Sequence, residues 1–165
     1  MDARTQNASS TADREIVIER TFDAPRELVW RAWTDPGHIE QWWGPKGFHN
    51  EACTTDFRVG GRFTLLMRAP DGNVHPCIGT FREIVEPERL VYDGEAAEGH
   101  PCGAGIPPRA TVTISFAEQD GKTRLTLHTR FASAEQKLAA AAARFVASWQ
   151  EALERLAGSL PRMRI

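Results

Sequence analysis

Two His-Pro-Cys triplets, His75-Pro76-Cys77 and His100-Pro101-Cys102, carry the chemistry most easily named in this chain. An imidazole and a thiol two residues apart on a strand share a face, so two such pairs brought together would make a Cys2His2 set suited to zinc. The His-x-Cys spacing is tighter than common zinc patterns, and no metal or cofactor is expected. Arg20 is the second pointed residue: in the run IVIERTF it shares a strand face with Ile18 and Phe22, where a buried guanidinium needs a partner. Asp56, Glu83 or an anionic group of a ligand would serve, as would an edge position reaching solvent past a helix end. The largest chemical surface is aromatic. Four of the five tryptophans fall between Trp30 and Trp43, and such rings either stack on a flat apolar ligand or close one end of a core. Catalytic signatures are missing: no GxSxG elbow, HExxH, phosphate-binding glycine loop or CxxC is present. His128 is expected on the outer face of its strand.

The bulk properties frame these residues. A chain of 165 residues suits one domain with a core that needs no disulfide staples. With a net charge of −2 and intermixed signs, it announces no polyanion-binding surface, so nucleic acid is a poor partner. No apolar run approaches the roughly 20 residues that span a bilayer, and the polar N-terminus does not read as a secretory signal. The three cysteines, Cys53, Cys77 and Cys102, form an odd set without framework spacing, as expected of reduced thiols in a cytoplasmic protein. Residues 1–13 read as a disordered tail, 14–160 as the domain and 161–165 as a C-terminal tail.

The elements that must position the chemistry follow from periodicity. A first strand, Ile16 to Phe22, leads through Asp23 as cap and Pro25 in the first turn to a short helix ended by Asp35-Pro36-Gly37. A helical turn then carries Ile39, Trp42 and Trp43; at about 100° per residue the two adjacent indoles should not face the core equally. Strands follow over residues 48–57, 62–68, 77–85 and 89–92. A Gly/Pro/His-rich loop spans 94–108, and two more strands flank Asp120-Gly121. Ser133 and Gln136 form a capping box for one long terminal helix with the stripe Leu138, Ala142, Phe145, Trp149, Leu153, Leu156 and Leu160. Glu151, Glu154 and Arg155 are placed on its solvent side. The expected fold is α+β: a curved seven-stranded antiparallel sheet, two short helices after the first strand, and the terminal helix across the concave face.

The series IERTFDAPRELVWRAWTDPGHIEQWWGP, DFRVGG, GTFREIVEPERLVY and SWQEALERL resembles the heat-shock-protein-90 ATPase activator homologue family of the START/polyketide-cyclase superfamily, over about Ile16 to Leu160. The resemblance implies a helix-grip domain with a cavity between sheet and terminal helix. It implies less about activity, because one fold hosts carriers, cyclases, receptors and co-chaperone modules. The co-chaperone docks through a separate N-terminal domain, for which the residues before Ile16 are too few. The leading expectation is a non-catalytic module for an apolar or amphipathic small molecule, acting as monomer or homodimer. Its candidate ligand-binding residues are Arg20, Trp43, Phe63, Met67, Phe81, Val112, Ile114, Phe145 and Trp149. A protein-interaction or chaperone-regulating module is the alternative, and a cofactor-free cyclase or hydrolase the third reading.

Overall fold

Alternating apolar and polar residues build seven strands: β1 (Glu15–Phe22), β2 (His49–Thr55), β3 (Arg62–Arg68), β4 (Val74–Val85), β5 (Arg89–Gly94), β6 (Thr111–Gln119) and β7 (Lys122–Arg130). The computed structural model describes residues 13–94, 109–142 and 144–163. The expected N-terminal tail before Asp13, and the expected loop after Gly94, therefore lie outside the described residues. The strands make one antiparallel sheet in the order β1-β7-β6-β5-β4-β3-β2. From β2 to β7 each strand pairs with its successor, while β1 sits at the opposite edge from β2. The chain must cross the sheet between them, and it does so as α1 (Arg26–Thr34) and α2 (Pro36–Trp42).

Register decides which side chains face inward. At the β6–β7 turn, Asp120 and Gly121 have φ of 53° and 78°, the left-handed pair that a tight two-residue hairpin requires. That turn fixes Gln119 opposite Lys122 and hence Phe116 opposite Leu125 and Ile114 opposite Leu127. A one-residue slip would send all of these to solvent. Before β3 the backbone of Gly61 passes so close to Asp56 that a Cβ would lie 1.8 Å from its carbonyl oxygen, so glycine is obligatory there. The inner face then carries Ile18, Phe63, Leu65, Met67, Cys77, Phe81, Leu90, Tyr92, Val112, Ile114 and Leu127, all buried in one cluster.

Helix boundaries differ from expectation at both ends of the chain. Pro25, not Asp23, occupies the N-cap position of α1, without a side-chain cap, and Asp35 caps α2 by accepting the Gly37 N–H at 2.9 Å. The terminal helix is two helices, α3 (Ala134–Ala142) and α4 (Phe145–Ser159). Arg144 separates them with φ 62° and ψ 43°, a left-handed conformation that costs a non-glycine residue roughly 1–2 kcal/mol. The capping box forms as expected: Ser133 Oγ accepts the Gln136 N–H at 3.1 Å, and the Gln136 side chain accepts the Ala132 N–H at 2.8 Å. Yet α3 buries no residue, and Leu138 is 70% exposed. Ala140 packs against the core but stays half-buried, and an alanine offers little apolar area, so the fully buried stripe begins at Phe145. From there Phe145, Trp149, Ala152, Leu153 and Leu156 pack against the sheet's inner residues. A 3-10 turn, Leu160–Arg162, follows, and Met163 is buried, so core packing runs into the segment expected as a tail.

These placements separate two leucines that periodicity alone treats alike. Leu153→Ala should cost about 2–5 kcal/mol and Leu138→Ala less than about 0.5 kcal/mol, read from urea midpoints.

Candidate functional site

The tryptophan cluster is assembled by a change in backbone conformation. Trp42 is the last residue of α2, whereas Trp43 is its C-cap, extended at φ −62° and ψ 139°. The helical angle between them no longer applies, and both indoles are buried, contrary to expectation. Trp42 finds a partner, its Nε1 donating to the Ala32 carbonyl at 2.9 Å. Trp33 from α1 lies parallel to Trp149 from α4, at 12° with centroids 6.0 Å apart. Trp43 meets Trp149 edge-on at 5.0 Å and reaches Phe63 of β3 at 5.5 Å. Phe63 in turn stacks on Tyr92 of β5 at 6.3 Å, and Phe81 stands against Tyr92 at 6.2 Å. One continuous aromatic wall thus joins α1, α4 and the concave face of the sheet.

A guanidinium holds this wall together. Arg155 Nη1 donates to three successive carbonyls, Trp43 at 3.1 Å, Gly44 at 2.9 Å and Pro45 at 3.1 Å. The Glu151 carboxylate accepts the Lys46 N–H at 3.1 Å, and Asn50 Nδ2 donates to the Trp43 carbonyl at 3.0 Å. Arg155 and Glu151 are therefore half-buried rather than on the solvent side; Glu154 is exposed as expected. Loss of hydration lowers the Arg155 pKa, the signature of a cation drawn into the protein. The turn itself needs Gly44, whose φ is 94° and whose Cβ would press within 3.2 Å of Met67 Sδ.

Four polar atoms in the wall have no hydrogen-bond partner among the described residues: Trp33 Nε1, Trp43 Nε1, Trp149 Nε1 and Tyr92 Oη. Burial above all, with Cys77 nearby, raises the Tyr92 pKa far above its ordinary value, so the phenol keeps its proton. Cys53 on β2 is likewise pushed up to about 12, first by burial and then by the negative charges of Glu40 and Asp35.

Of the nine residues selected from sequence, Trp43, Phe63, Met67, Phe81, Val112, Ile114, Phe145 and Trp149 share the buried cluster. Phe145 occupies a different region of it, against Phe131 at 5.3 Å. Arg20 is not among them. Its Nη1 pairs with Glu154 of α4 at 2.7 Å and its guanidinium lies over Phe22, at the rim of an open groove of about 500 Å³ that also includes Leu28, Ala157 and Leu160. Neither Asp56 nor Glu83 is its partner; they take Arg58 and Arg89. His128 is half-buried on the outer face beside Glu15, as expected. His75 is half-buried and Cys77 buried, and no group of three metal-capable side chains occurs among the described residues. His100 and Cys102 lie outside them. Sequence reasoning passed over Tyr92 and did not single out Trp33 from the other tryptophans. The available signal was that the chain's single tyrosine falls on the inward phase of its strand, beside Leu90.

This arrangement, a long helix gripped by a seven-stranded antiparallel sheet, defines the helix-grip class. The chain belongs to the family described as activator of Hsp90 ATPase homolog 1-like protein, whose model matches residues 23–160. A crystal structure from Nitrosomonas europaea is similar at 26% identity, covering 92% of this chain and 96% of that one, with a TM-score of 0.81. A solution structure from Arthrobacter aurescens is 28% identical over 93% of this chain and 89% of its own, with a TM-score of 0.80. An AHSA1-like protein of Aeromonas hydrophila is 25% identical, covering 90% of this chain and 92% of that one, with a TM-score of 0.68. Among curated proteins no significant match was found.

Arg155→Ala should lower stability by about 1.5–3 kcal/mol and speed amide exchange in residues 44–47, since charged hydrogen bonds to carbonyls are lost. The Cys53 thiol should also mark the alkaline limit. Burial pushes it from the ordinary thiol value of 9.0 up to about 12, so between those limits only the unfolded chain releases the proton. Stability is thus intact below pH 9 and falls as pH rises toward 12. Urea titrations across that range should slope downward, and Cys53→Ala should flatten the slope.

Proposed function

We propose that the domain holds an apolar or amphipathic small molecule between the inner face of the sheet and α4, without covalent chemistry. The observation that carries this reading is the set of polar atoms on Trp33, Trp43, Trp149 and Tyr92 that have no partner among the described residues. A buried donor left without an acceptor costs about 1–3 kcal/mol, and phenylalanine would fill such positions at no such cost. A core serving the fold alone has little reason to keep four of them. A bound molecule that supplies acceptors turns the defect into recognition.

The rings contact one another closely, so binding separates ring pairs instead of filling a standing void. The parallel pair Trp33 and Trp149 is the seam best shaped to admit a flat molecule. Burial drives the ionisable groups of the interior, Tyr92 and Cys53, away from neutral pH, the opposite of what general acid–base chemistry needs. That favours binding over a cyclase or hydrolase. The Cys53 thiol, buried and outside any disulfide, agrees with a reducing, cytoplasmic setting. A protein-interaction role is supported by a separate feature, the exposed Leu138 and Val146 around the α3–α4 junction.

Native mass spectrometry of protein isolated from cells distinguishes the two. A co-purifying small molecule, reduced in Tyr92→Phe, is the expected result; a stoichiometric protein partner lost in Leu138→Ser, with no small molecule bound, would refute it. Tyr92→Phe should meanwhile leave the ligand-free melting temperature equal or higher, because it removes an unpaired hydroxyl.

A further inference from the structure

We propose that the outer face of the sheet carries a separate site for a sugar phosphate, that is, a phosphate monoester on a small hydroxylated body. It shares no residue with the interior. Phe81, Tyr92 and Val112 are buried in the core, so their strand neighbours Thr80, Asp93 and Thr111 stand on the opposite face. Register sets those three in one row across β4, β5 and β6, Thr80 opposite Asp93 and Asp93 opposite Thr111. With Arg82, Gly94 and Arg109 they line an open cleft of about 370 Å³.

The polar groups of this cleft are already organised. Arg82 Nε donates to one Asp93 carboxylate oxygen, and Thr111 Oγ1 donates to the other at 2.9 Å. The Arg82 amino N–H groups remain for a second acceptor. Arg109 is fixed beside the row: its N–H donates to the Gly94 carbonyl, and the Gly94 N–H to the Ala110 carbonyl, both at 2.9 Å. Its φ of 61° is left-handed, a strained conformation for a residue other than glycine. Such strain persists where the surroundings fix it, and it gathers at positions that hold ligands. The Arg109 guanidinium is exposed and has no ion-pair partner among the described residues.

Two guanidiniums against one carboxylate leave the cleft net positive. Phosphate oxygens match the guanidinium fork, and a terminal phosphate has three of them, enough for Arg82, Arg109 and the Thr80 hydroxyl together. A carboxylate group has only two. The body is hydroxylated because no apolar side chain lines the cleft among the described residues, and Asp93 keeps lone pairs that accept from a hydroxyl.

Glucose 6-phosphate, inorganic phosphate, gluconate and glucose, titrated against the full chain at constant ionic strength and followed by amide shifts in NMR, test this. Shifts should centre on Gly94, Arg109 and Thr111. Glucose 6-phosphate should bind about tenfold more tightly than gluconate or glucose, and several-fold more tightly than inorganic phosphate. Arg109→Gly removes a guanidinium and relieves the left-handed strain, so affinity should fall about tenfold while the melting temperature holds or rises. Thr80→Ala should weaken binding several-fold. Arg124→Gln, at an arginine paired with Glu19 elsewhere on the outer face, should leave it unchanged. Gluconate or glucose binding as tightly as the ester would overturn the phosphate assignment, and inorganic phosphate doing so would overturn the hydroxylated body. Unchanged affinity in folded Arg109→Gly, shifts scattered over the surface, or no shifts with any probe would overturn the site itself. Each of these results leaves the interior reading standing, because the two sites lie on opposite faces of the sheet.

Discussion

The geometry of the interior depends on one guanidinium nitrogen facing three consecutive carbonyls. Arg155 reaches from α4 to the backbone of Trp43, Gly44 and Pro45, and one turn earlier Glu151 adds a second tie by accepting the Lys46 N–H. The chain leaves α2 at this point, turns sharply at Gly44 and begins its return toward β2. Without a cation the three carbonyls would converge with like partial charges and lose their water on burial. With it, the position of Trp43 relative to Trp149 is set to within a hydrogen bond's tolerance.

Much of this architecture was legible in the sequence because it rests on short-range signals. The period-2 strands, the Asp120-Gly121 hairpin and the Ser133–Gln136 cap each encode local geometry, and each is where the pattern puts it. The break in the terminal helix was not, for a physical reason. Leu138 and Ala142 continue the apolar spacing of Phe145 and Trp149, and periodicity cannot register a single left-handed residue such as Arg144 that takes them off the shared face. The same holds for Trp43: a helical wheel has no account of a residue that is already extended.

The candidate site was legible as an apolar surface and not as a polar one. Eight of the nine selected side chains meet in the interior, since inward phase follows from strand alternation. Arg20 does not, because a guanidinium on an inward phase near a sheet edge can reach around to Glu154 at lower cost than entering the core. The donors of Trp33, Trp149 and Tyr92 lack partners among the described residues, and that lack is a property of three-dimensional neighbours. No pattern along the chain reports it.

The left-handed joint at Arg144 has a thermodynamic consequence for how unfolding would be observed. A helix with no fully buried side chain, packed on the core through the half-buried Ala140, gains little from tertiary contact, and nine residues fall short of what an isolated helix needs to persist in water. Ala134–Ala142 therefore melts as a unit of its own, ahead of the sheet and Phe145–Ser159. Ellipticity at helical wavelengths would start to decline at temperatures where the indole emission is still native, and a single midpoint drawn through both signals would describe neither transition.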